Sequence, residues 1–406
     1  MSINSCPVEL LALIVERVPT DKALRSLRGV NKTFCALATP LAFRRAHVTN
    51  SLPSTRGLKA IMECHELAKA VETIVFRWSD VFASTEDVPT KRTTYIDLMV
   101  IFARLHLFPA LVHVEMNLFP SIPGPDCPVP LVVDDAGNFS HRLWDAAYSG
   151  SRVLECLLRC VHLGPPPKSL TLTNLTVVPW KYYESQWFSD MLSFVEHLYV
   201  SFHGEHSIGG SHGREIWTSL WLRVVSIYFL RPPQVRLKSL TLISDQPVGR
   251  VPRLDLSGIF FPVLRHLELG GIMLEHDQRI ERFIELHGKT LTELVLDSCP
   301  MYMPDDGGGP LRPWRDVCDR FSKTLEVLVD VQFHVREGWG LDNLKRTGEV
   351  RLYYCTADTT YGGVRGQDTR AYEDADRPAI NRLLEKVKAR REKQAIRAHC
   401  PATCST

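Results

Sequence analysis

The chain has 406 residues, 45% of them hydrophobic and 23% charged, with a formal net charge of +2. That composition excludes a disordered or fibrous chain, and it supplies no global field drawing the protein to nucleic acid or an anionic membrane. No apolar run approaches the ~20 residues of a membrane helix, and no basic flank with an apolar core and small-residue cleavage site opens the chain.

The eleven cysteines are odd in number and include no Cys-x-x-Cys pair. They read as free thiols in a reducing compartment, cytoplasmic or nuclear.

Leu10, Leu11, Ile14, Val15 and Val18 recur at helical spacing and predict a short helix. Pro7 suits its first position, Glu9 favours the helix dipole, and Pro19 stops it. Thr20 and Asp21 can cap a second helix with Leu24 and Leu27 inward, ended by Gly29. A third is predicted from about Asn31 to Thr39, carrying Phe34, Cys35, Leu37 and Ala38, with Pro40 at its end. Helices this short bury too little apolar surface to stand alone. The first helix therefore needs cover, either from the rest of this chain or from a partner.

The residues Pro7-Val8-Glu9-Leu10-Leu11, Ile14-Val15, Val18-Pro19, Ala23-Leu24-Arg25-Ser26-Leu27-Arg28 and Val30-Asn31-Lys32-Thr33-Phe34 resemble the F-box signature. The resemblance is closest in kind to the F-box and leucine-rich-repeat proteins abundant in fungi. It implies three helices that pack on the small adaptor subunit of Skp–cullin–F-box ligases. By position, Pro7, Leu10, Leu11 and Ile14 would contact the adaptor. Leu24, Leu27, Val30, Phe34 and Leu37 would build the module and part of its contact face. Cys6 stands where the family usually has Leu, Asn31 where it has Cys or Ser, and Phe34 where it has Trp.

Beyond residue 50 the pattern Leu-x-x-Leu-x-Leu dominates. Leu237-Lys-Ser-Leu240-Thr-Leu242, Leu264-Arg-His-Leu267-Glu-Leu269 and Leu291-Thr-Glu-Leu294-Val-Leu296 begin 27 residues apart in both intervals. That period lies in the leucine-rich-repeat range. Weaker copies begin at Val71, Leu111, Val195 and Leu325, and fragments at Ser169 and Val350. In a strand the last two leucines share one face while the residue between them points away. Stacked parallel strands would bury the leucines in one core. The outward positions His197, Tyr199, Thr241, His266, Glu268, Glu293 and Asp297 are the candidate target contacts. Residues 55–67 and 278–288 read as intervening helices, the second stopped by Gly288.

Segments 119–140, 164–167 and 303–313 are rich in Pro and Gly and read as surface insertions. The aromatics from Trp180 to Trp187 read as core, with a contact patch as the alternative. In the tail, Asp376 can cap a helix whose stripe is Ile380, Leu383, Leu384 and Val387, covering the last repeat, with basic residues beyond Lys386. A nuclear-import or anion-binding role is the other reading of those residues.

No HExxH, P-loop or dinucleotide glycine fingerprint occurs. The histidines of His203 to His212 lack a second cluster with metal spacing, and Asp305-Asp306 lacks alternating oxygen ligands, so no metal or cofactor is expected. The expected fold is α/β: a three-helix F-box over 1–50, then an irregular leucine-rich-repeat solenoid with a curved parallel sheet over 51–370, then a basic C-terminal helix and tail over 371–406. The expected function is a non-enzymatic substrate receptor of a ubiquitin ligase, with a Skp-type adaptor, through it a cullin, and an unknown target protein as partners. Neither nucleic acid nor membrane is expected as a partner. The alternative is a repeat scaffold without a ligase.

Overall fold

The computed structural model describes residues 6–78, 88–118, 154–176, 181–203, 217–249, 252–275, 277, 279–303, 312–335, 354–357, 364–366 and 370–399. The protein is mixed α/β and forms two compact units, Met1–Asn174 and Leu175–Thr406. The boundary expected near residue 50 falls inside the first unit. The fragment at Val350 lies outside the described residues.

The first unit opens with α1 (Val8–Glu16), α2 (Asp21–Leu27) and α3 (Lys32–Phe43). Pro7 is the N-cap of α1 and not its first residue, and its carbonyl accepts from Leu10 and Leu11 N–H. The Thr20 hydroxyl accepts from Ala23 N–H at 3.2 Å, as its position predicts. Pro40 was expected to end α3 but lies inside it, and the helix runs on to Phe43. A proline there removes one late backbone bond, and burial of Ala42 holds the last turn in place.

Four parallel strands follow: β1 (Arg45–Thr49), β2 (Thr73–Arg77), β3 (His113–Asn117) and β4 (Ser169–Thr176). Their register aligns Ala46, Ile74, Val114 and Leu170 in one buried row, and Val48, Phe76, Met116 and Leu172 in the next. Helices α4 (Leu52–Glu63) and α5 (His65–Ala68) replace the single helix predicted over 55–67, broken at Cys64. α6 (Val88–Phe102) and α7 (residues 154–163) add Leu98, Ile101, Phe102, Leu154, Leu157, Leu158 and Val161 to the core.

The second unit carries five parallel strands: β5 (His197–His203), β6 (Ser239–Val248), β7 (His266–Ile272), β8 (Glu293–Asp297) and, after the short β9 (Met301–Met303), β10 (Asp330–His334). Leu198, Leu240, Leu267, Leu294 and Val331 form one buried row; Val200, Leu242, Leu269, Leu296 and Phe333 form the next. Each fully buried side chain of this size stabilises by about 1.5–3 kcal/mol, so the rows are the main source of cohesion. The last copy is framed three residues later than the sequence suggested. Leu328, Val331 and Phe333 occupy the repeat positions, while Leu325 is buried just before them. β9 belongs to a second small sheet with β11 (Tyr354–Ala357) and β12 (Val364–Gly366).

Of the aromatics from Trp180 to Trp187, Tyr182 and Tyr183 are core, Trp187 is half-buried, and Trp180 lies outside the described residues. Tyr183 and Phe188 are buried and meet Phe229 at ring-centroid distances of 4.9 and 5.2 Å. Phe229 comes from a π-helical segment, Leu220–Leu230.

Helices α8 (Gln186–Ser193), α9 (Arg279–Leu286) and α10 (Trp314–Thr324) pack behind the strands. Gly288 follows the end of α9, where the sequence places the stop. A Cβ on it would lie 2.1 Å from the Thr324 carbonyl oxygen, so only glycine permits this approach.

The tail forms α11 (Arg370–His399), which buries Ala379, Ile380, Leu383 and Val387. Several of its basic residues have partners. Arg382 forms a 2.8 Å ion pair with Asp319, Arg390 donates to the Leu325 carbonyl at 2.7 Å, and Arg391 pairs with Asp330. Asp376 lies within α11 and does not cap its start. No helix among the described residues is long and apolar enough to cross a membrane.

Candidate functional site

Two surfaces carry the residues that the sequence singled out. The first is the N-terminal helical module. Leu11 and Val15 of α1 face inward and meet Leu24, Phe34, Ala38 and Ala42, with Cys6, Leu27 and Leu37 half-buried around them. Asn31 is the N-cap of α3, its side-chain oxygen accepting from Phe34 N–H at 2.9 Å. That is the work a serine does at such a position, which accounts physically for asparagine there. Arg28 ties α2 to α3 by donating to Thr39 Oγ1 at 2.9 Å and lying 4.6 Å from the Phe43 ring centroid.

The other side of α1 is apolar and open. Leu10, Leu13 and Ile14 are 51%, 52% and 53% exposed. Their spacing of three and four places them on one stripe. Val8 and Val30 are also exposed, as is Pro7. The residues proposed from the signature therefore divide. Pro7, Leu10, Ile14 and Val30 are open to a partner, Leu11, Leu24 and Phe34 form the module's own core, and Leu27 and Leu37 are half-buried on it. Leu13 and Val8 were not singled out, although Leu13 lies one turn from Leu10 and was legible from that spacing.

The second surface is the outward face of the second unit's sheet. Register places His197, His266 and Glu293 in one rung with Ser239 and Asp330. Tyr199, Thr241 and Glu268 share the next rung, and Asp297 lies in the third beside Gly270 and His334. His197 and Glu293 are exposed, while Tyr199, His266, Glu268 and Asp297 are half-buried. Thr241 departs from the expectation of an open position: it is 6% exposed, with its hydroxyl 3.1 Å from the Glu268 carboxylate it donates to. His266 pairs with Glu293 at 3.0 Å and His203 with Asp245 at 2.6 Å.

The corresponding face of the first unit is more basic. Arg45 pairs with Glu115, and His113 Nε2 lies 2.9 Å from Thr171 Oγ1. Burial, and then the Arg77 and Arg45 charges, hold the His47 imidazole below its ordinary value.

No protein-family model matches this chain, and no curated protein matches it either. The functional reading therefore rests on residues and geometry. Among the described residues, no group of three or more His, Cys, Asp or Glu side chains could hold a metal ion. His206, His212, Asp305 and Asp306 lie outside the described residues. The described cysteines are all free, and burial pushes the Cys318, Cys355 and Cys160 thiols up, so each favours its neutral form.

Proposed function

We propose that this chain is the substrate-recognition subunit of a Skp–cullin–F-box type ubiquitin ligase. Its three N-terminal helices act as an F-box that docks the adaptor, and its parallel-strand repeats form an irregular leucine-rich-repeat solenoid that holds a target protein. The chain does no chemistry of its own. It raises the local concentration of the target beside the ubiquitin-loaded enzyme.

One observation carries the reading. The helical module already has a closed core through Leu11, Val15, Leu24 and Phe34, yet α1 leaves Leu10, Leu13 and Ile14 in water. A helix with a satisfied inner face and a second apolar stripe is built for a partner.

The test is capture of a purified Skp-type adaptor by the full chain. The wild type binds, and Leu10→Asp combined with Ile14→Asp abolishes binding without lowering the melting temperature. If the wild type captures no adaptor under conditions where an established F-box protein does, the reading fails and a repeat scaffold without a ligase replaces it.

A further inference from the structure

The segments that enter β5, β6, β7 and β8 of the second unit lie side by side. Lys238 N–H donates to the Glu196 carbonyl at 2.7 Å, Arg265 N–H to the Lys238 carbonyl at 2.8 Å, and Thr292 N–H to the Arg265 carbonyl at 2.8 Å. Each segment therefore sits about 4.8 Å from the next. Together they show Phe194, Val235, Phe260, Val263 and Leu286 to water, each 39% to 77% exposed. Val195, Leu237, Leu264 and Leu291, on the same segments, are buried. The core thus has its side chains already, and the five exposed ones are surplus to it.

These side chains form a connected strip. The Arg236 guanidinium lies 5.5 Å from the Phe194 ring centroid and joins the β5 and β6 segments. The Phe260 ring stacks on His287 at 5.4 Å and joins the β7 segment to the residue after Leu286. The charge of the strip is one-sided. Residues 194–196, 235–238, 260–265 and 286–292 carry Arg236, Lys238, Arg265 and Lys289 against one carboxylate, Glu196. Glu196 already pairs with Lys238 at 2.6 Å. Arg265 and Lys289 are exposed, and among the described residues neither has a carboxylate partner. The segment entering β10 adds Lys323 and Glu326, which leaves the balance unchanged. An apolar strip with a charged rim marks an interaction surface, and a basic rim asks for an acidic partner.

We propose that this strip docks an acidic amphipathic helix of the target protein. Its apolar face lies on Phe194, Val235, Phe260, Val263 and Leu286, and its carboxylates meet Arg236, Arg265 and Lys289. The strip crosses three strand spacings, about 14 Å, which matches about ten residues of helix. Apart from Val235, none of the five is more than 59% exposed, so they form a floor for a helix and do not protrude as membrane-inserting side chains do. This deepens the receptor reading, on which it rests, by naming the chemistry of the target.

The experiment uses the full chain and a fluorescent helical peptide of about fourteen residues, four turns. Leucine repeats at intervals of three and four along one face, with glutamate flanking it, and lysine replaces glutamate in a matched peptide. Binding is followed by anisotropy. The glutamate peptide binds saturably, and the lysine peptide at least about ten-fold more weakly. Val235→Ser, Val263→Ser and Leu286→Ser together abolish binding. Arg265→Gln with Lys289→Gln weakens it about ten-fold and flattens its salt dependence. Leu163→Ser with Arg56→Gln, an exposed apolar residue and an exposed cation of the first unit, leaves it unchanged. Melting temperatures of the three variants confirm folding. Absence of saturable binding, or an equal effect of the first-unit variant, overturns the proposal. Sedimentation with vesicles that contain anionic lipid is the second arm. Vesicle binding that the strip variants abolish, without peptide binding, assigns the strip to a lipid surface and likewise overturns it. Adaptor capture is measured on the same proteins: its failure sinks the ligase reading and leaves the peptide result standing, and the reverse holds as well.

Discussion

Asp376 accepts a hydrogen bond from the backbone N–H of Arg315 at 3.0 Å, and so caps a helix 61 residues before it in the chain. The Tyr354 hydroxyl donates to the same carboxylate and accepts from Trp314 N–H at 2.9 Å. The Arg315 N–H of α10 is thereby satisfied from α11 and the Trp314 N–H from β11. Removing a carboxylate that serves one buried and one part-buried donor leaves both without it. Asp376→Ala is expected to cost about 1–3 kcal/mol in urea unfolding. Tyr354→Phe should cost less, because Asp376 keeps its bond to Arg315. Equal losses in the two variants would show that the carboxylate does not act as the cap.

Arg312 and Glu281 form a 2.6 Å ion pair in which the glutamate side chain is 0% exposed. Burial pushes the Glu281 carboxyl up, against the pull of Arg312. Breaking such a pair strands a buried charge. Arg312→Met is expected to cost about 3–5 kcal/mol, whereas Arg312→Met with Glu281→Met should recover most of that loss. The double-mutant cycle reads the coupling directly, and additive losses would refute it.

The strands were legible wherever leucine fills both inward positions at a constant interval. The copies at Leu237, Leu264 and Leu291 translate directly into adjacent rungs. β1 was hidden because Ala46 and Val48 stand in its inward positions, and a small side chain suffices at the first strand. Leu325-Glu-Val-Leu328 offers two frames, and only pairing of Val331 with Leu294 chooses between them. The α1 helix was legible as amphipathic, but periodicity could not divide its apolar residues between Leu11, which is core, and Leu10, which is not. Asp376 looked like a local cap because sequence shows neighbours along the chain; its actual donor lies on another helix. Thr241 alternates correctly, yet a cross-strand bond to Glu268 covers it.

His287 is buried and bridges two segments. Its Nδ1 lies 2.8 Å from the Phe283 carbonyl and its Nε2 accepts from Phe261 N–H at 3.0 Å, which requires the neutral ring. Burial holds its imidazole below the ordinary value of 6.5. Between that depressed value and 6.5 the unfolded chain binds the proton more readily, so stability is present above 6.5 and is lost as pH falls through the folded value. The wild type should therefore lose more stability than His287→Gln when pH is lowered from about 7.5 toward the acid side of this window. Thermal unfolding across that range measures the difference, and parallel curves for the two proteins would exclude the titration of His287 as a cause.

Neighbouring leucines of α1 should respond oppositely to truncation. Leu11 is buried with Val15, Leu24 and Phe34, so Leu11→Ala opens a cavity and is expected to cost about 2–4 kcal/mol. Leu10 is half exposed and its removal should change stability by less than about 0.5 kcal/mol. If α1 presents a docking stripe, Leu10→Ala must weaken adaptor capture while leaving the fold intact, and Leu13→Ala must do the same, since it shares the stripe. Leu11→Ala should weaken capture only as far as the module unfolds, so capture at low temperature should recover for it and not for Leu10→Ala. Urea unfolding and adaptor titration on the three variants separate the two faces of the helix. Equal loss of capture with no loss of stability in all three would place Leu11 at the interface instead of in the core.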